Sequence, residues 1–210
     1  AQAQTYLEEA LQVFSDQGEY RLVAEHWSVM GMLFQQSQNN DKAIACCQQA
    51  LALAAPHQYY HAQRAAWEIT GKAYLQRGDI AQAEAMFQQL ISFLAGTDNA
   101  LELHYGQAGL ASVRLAQQDI PAALALIEPV LRHLNHEHSE LVDHPELYLI
   151  CYQVLAAAQD ERAVTVLQQG WQLVQSQADK ISNPALRASF LSNVPVNREL
   201  GMLIAQGRES

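Results

Sequence analysis

The sequence predicts an all-α chain built from repeated helix pairs, and three observations carry that prediction. Half of the 210 residues are apolar, 16% are charged, Ala and Gln are abundant, and β-branched residues are sparse. The apolar residues recur at i, i+4 and i+8, which is the spacing of one helical face. The stretch WSVMGMLFQQSQNNDKAIACC, Trp27 to Cys47, returns 40 residues later as WEITGKAYLQRGDIAQAEAMF, Trp67 to Phe87.

Carried along the chain, the 40-residue step aligns Ala3, Ala43, Ala83, Ala123 and Ala163. Four residues on come Leu7, Cys47, Phe87, Ile127 and Leu167, and four further come Leu11, Leu51, Ile91, Leu131 and Trp171. These positions define a helix B. Upstream, the small residues Gly31, Gly71, Ala111 and Cys151 follow Met30, Thr70, Leu110 and Ile150 on a helix A. A small residue at a fixed place lets two backbones approach closely, and the aromatics one turn away fill the remaining space. One pair cannot bury its apolar stripe alone, so neighbours must stack.

The elements follow in order. A lone helix B at about residues 1–14 opens a half repeat, 1–20; full repeats span 21–60, 61–100, 101–140 and 141–180, and helices at 181–210 close the array as one repeat domain. Because that first helix has no helix A of its own, an apolar edge formed by part of Leu7, Leu11 and Phe14 is expected there, to be met by a preceding repeat of a longer protein or, in isolation, by a second copy of the chain. Asp79 and Asp119 sit in A-to-B turns, and Pro121 opens the third repeat's helix B. Asp143-His144-Pro145-Glu146 and Asn183-Pro184 read as N-caps with Pro in the first turn. Pro129 falls inside a helix B and should bend it, whereas Val194-Pro195 should split the terminal segment in two.

Composition excludes several functions. A net charge of −10 argues against nucleic acid and against an anionic membrane surface. No apolar run approaches the roughly 18 residues of a spanning helix, and no leader-like segment opens the chain. The first residue is Ala1 rather than Met, so the chain is expected to be part of a longer polypeptide. Three cysteines, two of them adjacent (Cys46-Cys47), suit reduced thiols in a cytoplasmic protein rather than a disulfide framework. There is no phosphate loop, no dinucleotide fingerprint, no nucleophile elbow and no HExxH helix, so neither an enzyme nor a cofactor site is expected.

Two clusters need weighing. His133, His136, His138 and His144, with Glu137 and Asp143, hold metal-ligating side chains. They fall at a B-to-A turn where solvent-facing polar residues belong, and the reading is no metal site. Trp27, Phe34, Trp67, Tyr74, Phe87 and Trp171 fall on repeat positions expected to be core.

The pattern of an aromatic, a small residue four on, an aromatic three on, and later Ala with an apolar residue four on resembles the tetratricopeptide repeat. Here it reads Trp27, Gly31, Phe34, Ala43, Cys47 and Trp67, Gly71, Tyr74, Ala83, Phe87. It weakens later, where Gln107 and Leu147 replace Trp, and the 40-residue period exceeds the usual one of about 34. The long variant is similar to arrays attached to large bacterial signalling ATPases, cyclases and transcription activators. The tail ADKISNPALRASFLSNVPVNREL, Ala178 to Leu200, resembles the segment that closes such arrays in multidomain bacterial proteins.

The resemblance implies a right-handed superhelical solenoid of about four and a half repeats, with a concave groove lined by the stripe of helix A that faces away from helix B. That stripe holds Glu25, Ser28, Met32 and Gln35, then Glu68 and Lys72, then Tyr105 and Leu115, then Tyr148 and Tyr152. Lys72 is the one cation there, so a carboxylate clamp is not expected; Tyr, Met and Leu suit an apolar or helical segment. The implied function is a protein-interaction scaffold or sensor arm in bacterial signal transduction, binding a segment of a protein partner or of another domain of its own parent chain. The alternative is a small-ligand-sensing regulatory domain.

Overall fold

A computed structural model describes residues 2–95, 100–134 and 144–207. Among the described residues the chain is helical throughout, with no strand: α1 (Gln2–Asp16), α2 (Tyr20–Gln36), α3 (Asn40–His57), α4 (Tyr60–Arg77), α5 (Ile80–Leu94), α6 (Ala100–Ala116), α7 (Ile120–Leu134), α8 (Pro145–Ala157), α9 (Arg162–Asp179), α10 (Pro184–Asn193) and α11 (Pro195–Gly207). The A helices are α2, α4, α6 and α8, each packed on the B helix that follows it, α3, α5, α7 and α9. The helices gather into two compact units, residues 1–99 and 100–210.

One turn, used again and again, produces this spacing. After α2, Gln38 enters the left-handed region at φ 59°; its N–H donates to Gln35 O at 3.0 Å, and the Asn39 N–H donates to Phe34 O at 2.8 Å. These two bonds satisfy carbonyls that the end of the helix leaves unpaired. The Asn39 carbonyl then accepts the Ala43 N–H at 3.0 Å, so the residue that closes α2 also opens α3. The same closing bonds recur with Gly18, Gln58, Gly78, Gln118 and Gln159 in the left-handed position. Five of these six positions share a 20-residue register, and the turn at Gln159 arrives one residue late.

The repeat alanines lie where helix meets helix. Ala43, Ala83 and Ala123 are 0% exposed and Ala163 is 7% exposed, while the side chain of Ala3 lies outside the described residues. In the first unit a Cβ added at Gly31 would stand 2.6 Å from Cys47 Sγ, and one added at Gly71 would stand 2.8 Å from the Phe87 ring. In the second unit Ala111 and Cys151 are fully buried, and a further close approach involves Gly170 of α9, where a Cβ would stand 2.7 Å from Tyr148 Cβ.

The proline expectations are met in part. Val194 is extended (φ −77°, ψ 117°) ahead of Pro195, and α10 and α11 part there. Asn183 caps α10, its Oδ1 accepting from Ala185 N at 2.9 Å and Leu186 N at 3.2 Å. α7 runs through Pro129 as one helix, with its ring half-buried. His144, rather than Asp143, stands at the cap of α8; Asp143 lies outside the described residues.

The core expectation for the aromatics needs correcting. Phe87 is fully buried, but Trp27, Phe34, Trp67, Tyr74 and Trp171 are only half-buried. Cations cover two of the outer ring faces: Lys42 Nζ lies 5.4 Å from the Phe34 ring and Arg77 lies 5.8 Å from that of Tyr74.

Candidate partner-binding surface

The helix-A stripe divides into positions that stay open and one that closes. The register position of Ser28 is covered in every repeat: Ser28 is 4% exposed, Ala108 0% and Tyr148 5%, and the Glu68 side chain is 14% exposed. In the first unit Ser28 Oγ donates to Ala24 O at 3.2 Å and to Ala62 O at 3.4 Å, tying α2 to α4. Ser28 is therefore a joint between neighbouring A helices and not a groove residue. Four places further on, Met32 is 39% exposed and Lys72 is half-buried. Glu25, held by Arg21 at 2.7 Å, and Gln35 are half-buried.

Glu68 and Lys72 are bound to each other. Glu68 accepts from Arg64 at 2.7 Å and from Lys72 at 2.8 Å, all on α4. Burial works to raise the Glu68 pKa, but Lys72 and Arg64 outweigh it and hold it below the usual carboxylate range. Lys72 is thus already committed to a carboxylate of its own helix.

In the second unit the tyrosines part company. Tyr148 was expected in the groove; it lies in the core of α6–α9, against Gly170, and burial raises its pKa. The reason is positional, since its counterparts Ser28 and Ala108 are buried too, and glycine on α9 makes room for a ring. Tyr105 is half-buried and meets the His144 ring edge-on at 5.4 Å, and Leu115 packs against the same core. Tyr152 remains half-buried at the position of Met32 and Lys72.

Tyr152 also lines a cleft of about 640 Å³ between α8, α9 and α11. Trp171, Leu167, Leu203 and Ile204 give it an apolar lining, Gln168, Gln172, Gln175 and Gln206 stand around it, and no lining residue is charged. Val164 on its edge is 61% exposed, and the four glutamines are exposed as well, so the cleft is an open trough rather than a closed chamber. Sequence reasoning assigned Trp171 to the core and passed over the glutamines. Their signal was the stretch VLQQGWQLVQSQ, where Gln168, Gln172 and Gln175 recur at i, i+4 and i+7 beside Trp171.

Other chemistry is sparse. All three thiols are free and buried, and burial pushes Cys47 and Cys151 up to about 12, far from a reactive thiolate. His104, 7% exposed, pairs with Gln107 Oε1 through Nδ1 at 2.8 Å; burial lowers its pKa, and the His133 ring lies 4.8 Å away. Of the histidine-rich stretch, residues 135–143 lie outside the described residues. Among the described residues no group of three or more His, Cys, Asp or Glu is placed to hold a metal, and no helix is long and apolar enough to cross a membrane.

Residues 24–57, which are α2 from Ala24 and all of α3, match the family model for the tetratricopeptide repeat. No curated protein matches the sequence. The matched residues hold Trp27, Gly31, Phe34, Ala43 and Cys47, whose pattern the next helix pair repeats as Trp67, Gly71, Tyr74, Ala83 and Phe87. With that match and its succession of A and B helices, the chain is a tetratricopeptide-like helical repeat array.

Proposed function

From the premise that the chain is a tetratricopeptide-like array, a class of repeat that generally mediates protein–protein interaction, we propose that it binds an uncharged, apolar segment of a protein partner. The observation that carries this reading is the open cleft around Tyr152 and Trp171, with its apolar lining and glutamine rim. Two aromatic rings provide contact area at low entropic cost, and glutamine amides can pair with the peptide groups of an incoming chain. A closed cavity would favour the small-ligand alternative; exposed walls favour a segment. In the first unit, Met32 offers a second apolar contact, while Lys72 is occupied by Glu68.

The role is non-catalytic in this reading, supported by thiols driven away from reactivity and by the scaffold character of such repeats. We place it in a cytoplasmic, bacterial signalling polypeptide, where the bound segment comes from a partner or another domain of the parent chain. The tail from Ala178 to Leu200 and the reduced cysteines support that setting.

The test is selection of a displayed peptide library on the immobilised chain, followed by titration of the recovered peptides. Tyr152→Ala should weaken binding about tenfold or more, roughly 1.4 kcal/mol, with a far smaller loss of thermal stability than Tyr148→Ala. Recovered peptides that bind wild type and Tyr152→Ala equally would remove the cleft from the reading.

A further inference from the structure

The contact between the start of α6 and the end of α7 departs from the rest of the array. His104 of α6 and His133 of α7 lie with their ring centroids 4.8 Å apart, the planes inclined at 59°. Carried back two repeats, the same register places hold Ala24 and Leu53, which share one apolar cluster of α2, α3 and α4. The pair α4–α5 has Arg64 and Phe93 there, and α8–α9 has His144 and Leu173. Of the four pairs, α6–α7 alone sets an imidazole on each side. The fold does not need titratable groups at this junction, since an alanine and a leucine fill it elsewhere.

The surroundings of His104 disfavour a charge. Its side chain lies in a residue only 7% exposed, whereas His133 is half-buried. Nδ1 meets Gln107 Oε1 at 2.8 Å, and because that oxygen can only accept, Nδ1 carries the proton of the neutral ring. From α7 the charges that act on His104 are those of His133 and Arg132. Glu128, the carboxylate of α7, is held by Arg162 at 2.7 Å. From α8, His144 meets the neighbouring Tyr105 edge-on at 5.4 Å. Glu102 of α6 and Glu146 of α8 are the carboxylates of those two helices, and among the described residues no carboxylate is one of the groups that shift His104. Burial first, then His133 and Arg132, lower its pKa, and together they outweigh the bond to Gln107 that raises it.

We infer that His104 and His133 form an acid-sensitive clasp, which holds the end of α7 on the start of α6 while one ring stays neutral and parts when protons charge both. Two imidazolium rings this close repel each other, and the one cut off from water is poorly screened. The sign of the pH dependence follows from linkage. A histidine whose folded pKa lies below its unfolded value binds fewer protons in the folded chain. Its contribution to stability is therefore complete above the ordinary value of 6.5 and is lost as pH falls below it. Further along the pair, Ala111, Ala123 and Ile127 share an apolar core with no charge to gain, so the change is confined to the histidine end.

Histidine ring NMR shifts followed from about pH 8 to about pH 5, with urea unfolding at both limits, test the clasp. In the wild-type chain His104 should titrate below 6.5, and His133→Gln should move that titration upward. Amide signals of residues 100–105 and 130–134 should change on acidification before those of Ala111 and Ala123. The wild-type urea midpoint should fall on acidification. The double variant His104→Ala with His133→Leu, which copies Ala24 and Leu53, should lose distinctly less, with circular dichroism confirming that it folds. A His104 titration at or above 6.5, a titration unmoved by His133→Gln, or an equal acid loss in wild type and double variant overturns the inference. If the double variant does not fold, the His104 titration and its response to His133→Gln decide alone.

Discussion

The two units bring their helices close together in different ways. In the first, the A helix gives way: Gly31 and Gly71 let Cys47 and Phe87 of the B helices come within contact of the backbone. In the second, the A positions are Ala111 and Cys151, and on α9 it is Gly170 that gives way to Tyr148 of α8. The lesson is that a helix crossing needs a certain summed volume, and either helix can supply the small residue. An A-helix tyrosine can therefore be core in one repeat, whereas its counterpart in another is a serine bonded to the next helix.

The largest expected effect distinguishes the two tyrosines of α8. Tyr148→Ala removes a ring from a packed core and should cost about 3–5 kcal/mol in urea unfolding. Tyr152→Ala, on a half-buried side chain at an open cleft, should cost much less. Equal losses would break the distinction between core and cleft on which the partner surface rests.

A smaller effect sharpens the comparison of the crossings. Gly71→Ala places a methyl 2.8 Å from the ring of fully buried Phe87 and should destabilise by about 1–3 kcal/mol. Gly31→Ala meets Cys47 Sγ at 2.6 Å, so adding Cys47→Ala to it should recover part of the loss. If the double change is simply additive, the close approach at Gly31 is not set by the sulfur atom.

The smallest effect concerns the turns. Gln38, Gln58, Gln118 and Gln159 occupy left-handed backbone at φ 55–62°, where glycine stands at Gly18 and Gly78. Gln118→Gly should therefore be neutral to stabilising by up to about 1 kcal/mol, and Gly78→Ala should destabilise by about as much. Thermal melts of the two single variants check the pair, and a stabilised Gly78→Ala would contradict the turn geometry.

Much of the architecture was legible in the sequence because helix packing repeats. The 40-residue alanine series, with Gly31 and Gly71, marks where backbones meet, and Asn183-Pro184 and Val194-Pro195 carry their own backbone restrictions. These are local or periodic constraints, and a single chain displays them directly. The turns were harder to read. Glutamine has no preference for left-handed backbone, so Gln38 and Gln118 gave no local signal, and only the closing hydrogen bonds reveal that they do what Gly78 does. The candidate surface was least legible. Whether Ser28, Tyr148 or Tyr152 faces a partner depends on which neighbouring helix covers it, and periodicity fixes a residue's direction on its own helix but not what stands opposite. The cleft joins residues of α8, α9 and α11, and α11 comes after the last full repeat, where the 40-residue pattern has ended. Only the packed structure brings Trp171 and its glutamines together with Tyr152, because burial is a property of neighbours and not of register.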